Sequence, residues 1–237
     1  MNVSRYGGHI RTYSVAGVMG HRVGTVILVI GLGVLAWSAT VYLWKDPLTT
    51  AYTAYQQRKL ETKLDTTFED WKARTRPARP RSLPPKADVR REARAYRLAS
   101  DEGDAIARIE VPRLGLDAVV VNGTSSGDLR RGPGRHLETW MPGEGRLVYI
   151  AGHRTTYGAP FSDIDKLRRG DPIHLELPYA SMEYAVVSHR IVDDNDLSVL
   201  DPRGREELVL QACHPRFFAN ERYLVYARPI RVIEKTP

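Results

Sequence analysis

Hydrophobic and polar positions fall along this chain in three textures. From Val23 to Trp44 the run is apolar and carries no charge. As a helix it would extend about 33 Å, enough to cross the hydrocarbon core of a bilayer. Between 48 and 73, apolar residues recur at intervals of three to five: Leu48, Tyr52, Tyr55, Leu60, Leu64, Phe68 and Trp71. That spacing predicts a helix with one packing stripe. The stripe fits three arrangements: an outward continuation of the membrane helix, pairing with a second copy, or a cover for the rest of the protein. A shorter helix is expected over 88–99. From Asp104 onward the texture changes to short β-rich runs at 105–111, 116–121, 146–151, 172–177, 181–192, 205–213 and 222–232, punctuated by Gly and Pro. Seven or more strands in about 130 residues predict a mainly β, closed or nearly closed barrel. Helix within it is expected only over 125–131 and for a turn or two around 161–167.

Composition locates the appendages. The chain has 237 residues, 42% hydrophobic and 27% charged, which suits one folded domain with extensions. Its net charge of +7 invites a nucleic-acid reading. Most of that charge sits between Lys72 and Arg97, where ten Lys or Arg face only Asp88 and Glu92. Pro77, Pro80, Pro84 and Pro85 mark this stretch as a solvated, partly extended linker, and no aromatic residue interleaves the charges between Arg74 and Arg94. No nucleic-acid partner is therefore expected. A basic stalk fits anionic lipid or cell-wall polymer, or serves as a soluble spacer. At the apolar run, Ala36-Trp37-Ser38 resembles a signal-peptide cleavage site, but the run continues to an interfacial Trp44, which favours an uncleaved anchor. The flanking charges are nearly tied, Arg5, Arg11 and Arg22 against Lys45, Arg58 and Lys59; Arg22 at the membrane edge leans toward an inside N-terminus.

Candidate chemistry begins with Cys213, the sole cysteine, at the end of the apolar run Leu208-Val209-Leu210-Gln211-Ala212-Cys213. A lone thiol forms no intramolecular disulfide and no multi-thiolate zinc site, so packing, nucleophilic catalysis and intermolecular redox chemistry remain. Nine residues on, Arg222 opens a second strand-like run. Antiparallel pairing of the two puts Cys213 and Arg222 at one hairpin mouth. His153 lies in the loop entered from the strand at 146–151. His214 adjoins the thiol in sequence, but neighbouring strand residues point to opposite faces, which makes it a poor partner. His174 and His189 sit inside expected strands, and His136 has no partner at a recognisable spacing. No short-spaced His or Cys pair offers a zinc site. Asp193, Asp194 and Asp196 do not match an EF-hand and read as an acidic turn.

The stretches Ala151-Gly152-His153-Arg154-Thr155-Thr156-Tyr157-Gly158-Ala159-Pro160-Phe161, Ala212-Cys213-His214-Pro215-Arg216-Phe217 and Glu221-Arg222-Tyr223 together resemble the sortase family, specifically the class E sortases of high-GC Gram-positive bacteria. The resemblance covers roughly residues 103 to 234. It implies an eight-stranded β-barrel and a membrane-anchored cysteine transpeptidase; no cofactor and no metal are expected, since the acidic turn does not match an EF-hand and no zinc spacing is present. Cys213 would then attack a C-terminal sorting motif, Leu-Ala-x-Thr-Gly-like or Leu-Pro-x-Thr-Gly-like, as thiolate. His153 would serve as acid and base, and Arg222 would hold the substrate carbonyl. Tyr157, Gln211 and Ala212 are candidates for peptide contact. The implied partners are secreted proteins with that motif, a peptidoglycan precursor or other amine acceptor, and the membrane. Val209 and Ala212 replace two threonines of the family pattern, which leaves the motif open. The corresponding organisation is a cytoplasmic tail at 1–22, an anchor at 23–44, a helical and Pro/Arg-rich linker at 45–102, and an extracellular catalytic domain at 103–237. A hydrolase using the same acyl-enzyme and a non-catalytic cell-surface scaffold are the alternatives.

Overall fold

A computed structural model describes residues 15–43, 46–75 and 85–234, and the chain divides into two compact units, Met1–Trp44 and Lys45–Pro237. The expected tail through residue 14, Trp44 and the central linker at 76–84 lie outside the described residues. In the first unit, α1 (Val15–Leu43) is a single helix. Its stretch Arg22–Thr40 is long and apolar enough to cross a membrane, and none of it is buried by protein. A helix that is apolar all round has no polar face to give to water, so lipid is the solvent that matches it.

In the second unit, α2 (Pro47–Thr75) starts where the Asp46 carboxylate accepts the Leu48 N–H at 3.1 Å and Pro47 takes a first-turn position that needs no donor. The later part of its stripe faces the barrel, whereas Leu48, Tyr52 and Tyr55 are exposed. Leu60, Leu64 and Phe68 pack on Ala105, Val119 and Val121, while Trp71 joins the main core. α3 (Pro85–Ala99) adds Val89, Ala93 and Tyr96 to that core, and the Tyr96 hydroxyl donates to the Ile106 carbonyl at 3.0 Å. The segment expected as a linker at 45–102 therefore contains two packed helices. The compact unit begins at Lys45 rather than at 103, because β1 and β2 present apolar residues outward that α2 covers.

Eight strands close the barrel: β1 (Ala105–Val111), β2 (Leu116–Asn122), β3 (Gly134–Arg135), β4 (Leu147–Ala151), β5 (Pro172–Glu176), β6 (Ala180–Asp193), β7 (Glu207–His214) and β8 (Glu221–Glu234). Their order is β1-β2-β3-β4-β7-β8-β6-β5, closed by β1 against β5. Two neighbouring pairs are parallel, β2 with β3 and β4 with β7. β3 has only two residues, too few for any periodicity to reveal. Between β2 and β3, α4 (Ser126–Leu129) starts with a reciprocal cap between Ser125 and Asp128. Inside, Leu208, Leu210, Ala212, Val225 and Ala227 join Ile109, Val148, Ile150 and Tyr184 in the main core. On the outer face of β4, β7 and β8, a second cluster gathers Leu147, Tyr149, Ala151, Val209, Leu224 and Tyr226, with Val192 and Val199 beside them.

Candidate active site

Parallel pairing decides which strand ends meet. β4 and β7 run in the same direction with Ala151 opposite Gln211, and the Gly152 N–H donates to the Gln211 carbonyl at 2.9 Å. Both C-terminal ends therefore lie at one end of the barrel, where β4 releases the His153 loop and β7 reaches Cys213. β8 runs antiparallel to β7 and sets Arg222 directly opposite Cys213. Opposed residues of an antiparallel pair project to one face. Alternation identifies that face: Ala212 and Leu210 point into the core and Val209 into the outer cluster, so Cys213 and Arg222 lie outside. The outer cluster forms the apolar floor beside them.

Local constraints shape the His153 loop. A Cβ at Gly152 would come within 2.6 Å of the Phe161 ring, so only glycine lets the chain turn there. His153 is half-buried, and its Nε2 is buried without a hydrogen-bond partner. Its ring packs on Tyr157 with centroids 5.0 Å apart. The Arg130 guanidinium lies 5.6 Å from the centre of the other side of this pair, the Tyr157 ring. Burial first, and then the positive charge of Arg130, hold the His153 pKa below the usual 6.5. Tyr157 (φ 52°) and Ala159 (φ 42°) both occupy left-handed backbone, which side chains other than glycine adopt at a cost.

The guanidinium of Arg222 is oriented by its own turn. Its Nη1 donates to the carbonyls of Ala219 at 2.6 Å and Glu221 at 3.0 Å, and Nη2 lies 3.8 Å from Asp194. Two carboxylates of the acidic turn have partners of their own. Asp194 faces Arg222, while Asp196 accepts the Ser198 N–H and hydroxyl and pairs with Arg190 at 3.7 Å. Among the described residues no group of three or more His, Cys, Asp or Glu is gathered around a common point.

His214 points the other way. Arg154, 5% exposed in its side chain, donates through Nη1 to the Cys213 carbonyl at 3.3 Å and lies 2.8 Å from His214 Nδ1, while its Nη2 pairs with Asp165 at 2.9 Å. A guanidinium only donates, so His214 Nδ1 accepts. The His214 ring sits 5.7 Å from that of Tyr223, whose hydroxyl meets His189 Nδ1 at 3.1 Å. His174 is half-buried on β5, and His136 stands 6.2 Å, ring to ring, from Tyr149. Arg154 had no signal in the sequence beyond its place after His153.

Of the residues expected to touch peptide, Tyr157 lies beside His153, and Gln211 shares the outer face of Cys213. Ala212 requires a correction. It is 0% exposed inside the main core, because it alternates with Gln211 and Cys213 and so faces inward. Val209, at the other replaced threonine, is buried in the floor.

Comparison with known proteins agrees with this architecture. The Sortase domain model matches residues 109–230, half of the chain, and the chain belongs to the sortase family. Sortase D of Bacillus subtilis is 31% identical over 134 residues, spanning 55% of this chain and 66% of the relative. Sortase SrtE1 of Streptomyces coelicolor is 30% identical over 153 residues, 58% of this chain and 43% of the relative. Among solved structures, sortase E1 from Streptomyces coelicolor with a tripeptide in the active site superposes with a TM-score of 0.53 at 28% identity, over 57% of this chain and 95% of that one. The class E resemblance of the motifs is compatible with these relatives from classes D and E. The matched regions span between about two fifths and two thirds of the two curated relatives' lengths.

Proposed function

We propose that this protein is a membrane-anchored cysteine transpeptidase acting on secreted proteins that carry a C-terminal sorting motif, with its catalytic unit on the extracellular side. In the first half-reaction the Cys213 thiolate attacks the scissile carbonyl. The sulfur–carbon bond forms, the carbon–nitrogen bond breaks, and His153 gives its proton to the leaving amine. In the second, His153 takes a proton from an incoming amine, a peptidoglycan precursor or other cell-wall acceptor, as that amine displaces the thiolate from the thioester. Arg222 holds the carbonyl oxygen as it gains negative charge. Its fork has donors beyond the Nη1 that the Ala219 and Glu221 carbonyls engage.

The observation that carries this reading is the direct cross-strand pairing of Cys213 with Arg222 on the outer face, beside the strand end that leads into His153. A thiol kept only for packing has no need of a cation opposite it at a solvent-facing strand end. The structure of a relative with a tripeptide in its active site supports a peptide as the ligand. The test is cleavage of a fluorogenic Leu-Ala-x-Thr-Gly peptide with and without an amine acceptor, with products identified by mass. Wild-type protein is expected to form the amide with acceptor present and the free acid slowly without it. Cys213→Ala should lower turnover by at least ~10³-fold. Free acid alone in both arms would favour the hydrolase, and near wild-type cleavage by Cys213→Ala would overturn the mechanism.

A further inference from the structure

The first turns of α2 lie outside the matched sortase region, and their polar residues outside every motif that drew attention in the sequence, yet they reach the His153 loop. Thr49, Thr53 and Gln57 are spaced four apart and share one helix face. The Thr49 hydroxyl oxygen accepts the Tyr157 N–H at 2.8 Å. One turn on, the Thr53 hydroxyl donates to the Arg130 carbonyl at 2.9 Å. Another turn on, Gln57 Nε2 donates to the carbonyls of Val119 at 3.1 Å and Arg131 at 2.8 Å, and its Oε1 accepts the Val119 N–H at 2.7 Å. The Tyr52 ring meets the Tyr157 ring edge-on at 6.3 Å. This one face thus holds both segments that surround the His153 ring, the loop carrying Tyr157 and the α4 exit carrying Arg130.

Covering the barrel does not account for these contacts. For Thr49 and Thr53 that task falls to other residues, Leu60, Leu64 and Phe68, about two or more turns beyond Thr53. Threonine is a weaker helix former than alanine, so Thr49 and Thr53 have a use other than propensity. Tyr157 also sits in left-handed backbone that needs holding. Because His153 Nε2 has no hydrogen-bond partner, the ring is placed by packing on Tyr157, and Tyr157 is placed by Thr49.

We propose that Thr49 is a positioning residue: its hydroxyl fixes the Tyr157 backbone, and through the Tyr157 ring it holds the His153 imidazole in working orientation. This rests on the reading of His153 as the acid and base of the reaction.

The test uses the full-length protein in detergent micelles, as wild type, Thr49→Val, Thr49→Ser and, on the exposed face of α2, Thr62→Val. Two quantities are read: kcat and KM on the fluorogenic peptide, and the His153 titration by NMR with labelled histidine, assigned by its loss in His153→Gln. Thr49→Val should lower kcat about three- to ten-fold, the range of one lost hydrogen bond, with KM little changed. The same variant should move the His153 pKa upward as the loop opens to water. Thr49→Ser should restore both, and Thr62→Val should change neither. Wild-type kcat together with an unmoved His153 titration in Thr49→Val overturns the proposal. So does an equal loss in Thr49→Ser, which keeps the hydroxyl. If Thr49→Val does not fold, Thr53→Val decides by the same readouts through the Arg130 side of the ring. Should wild type cleave no sorting peptide, the functional reading fails while the His153 titration still tests the positioning.

Discussion

Consecutive residues at the end of β7 belong to two different regions of the molecule. Cys213 faces outward, opposite Arg222 and above an apolar floor. His214 faces inward, tied to a buried arginine and stacked near Tyr223. In the outer region the Arg222 fork is steadied by carbonyls of its own turn and by Asp194. The inner region spends its polar groups on one another: Asp165, Arg154, His214, Tyr223 and His189 form a chain of contacts, and Arg154 extends it to the Cys213 backbone carbonyl. The difference teaches that adjacency in sequence is a poor guide to chemical partnership on a strand. One face carries the proposed reaction, and the other fixes where its nucleophile stands.

The sharpest way to break this contrast is to remove each histidine in turn. His153→Ala is expected to reduce kcat/KM by ~10²- to 10⁴-fold, the range for losing a general acid and base. His214→Ala deletes a hydrogen-bond partner of Arg154 and should cost about tenfold or less. Both can be followed on the same fluorogenic peptide. Equal losses would erase the distinction between the faces, and a larger loss at His214 would reverse it.

A smaller effect probes the inner face directly. Arg154→Ala leaves the Cys213 carbonyl and His214 Nδ1 without their donor, so a stability loss of about 1–3 kcal/mol is expected. Thermal melting reads it as a Tm lower by roughly 2–4 °C per kcal/mol for a unit of this size. Activity should fall as well, with the thiol still open to alkylation. An unchanged Tm with unchanged kcat would show that the inner network does not hold the strand end.

Much of this was legible because strand alternation is simple. It separated Cys213 from His214 before any coordinates, and register alone brought Arg222 opposite the thiol. The same rule, applied one residue earlier, excludes Ala212 from the groove; its place at a threonine of the family pattern favoured it, and its position inside the barrel decides against it. The stripe from Leu48 to Trp71 was visible, but neither the partner of its part from Leu60 onward nor the exposure of Leu48, Tyr52 and Tyr55. Periodicity reports that a face is apolar, and only the outward apolar residues of β1 and β2 determine what it covers. β3 escaped notice because two residues have no period. Arg154 and Thr49 were invisible for another reason: each acts through backbone carbonyls or N–H groups far along the chain, and such partners leave no residue-type signature.

The smallest expected effect concerns charge around His153. Burial is the larger cause of its lowered pKa and Arg130 the lesser. Replacing Arg130 by Ala removes the lesser cause only, so the His153 titration should move up toward 6.5 without reaching it. The sign for stability follows from linkage. The unfolded chain takes up a proton near pH 6.5, and the folded state resists it until lower pH. Stability is therefore complete above about pH 6.5 and falls as the pH drops through the folded pKa. His136, whose pKa is also lowered chiefly by burial, acts in the same direction. Melting curves between pH 7 and 5 should show a declining Tm for wild type, a shallower decline for Arg130→Ala, and a shallower one again for His153→Gln. A His153 titration unmoved by Arg130→Ala would remove that cation from the outer region and leave burial alone to set the imidazole.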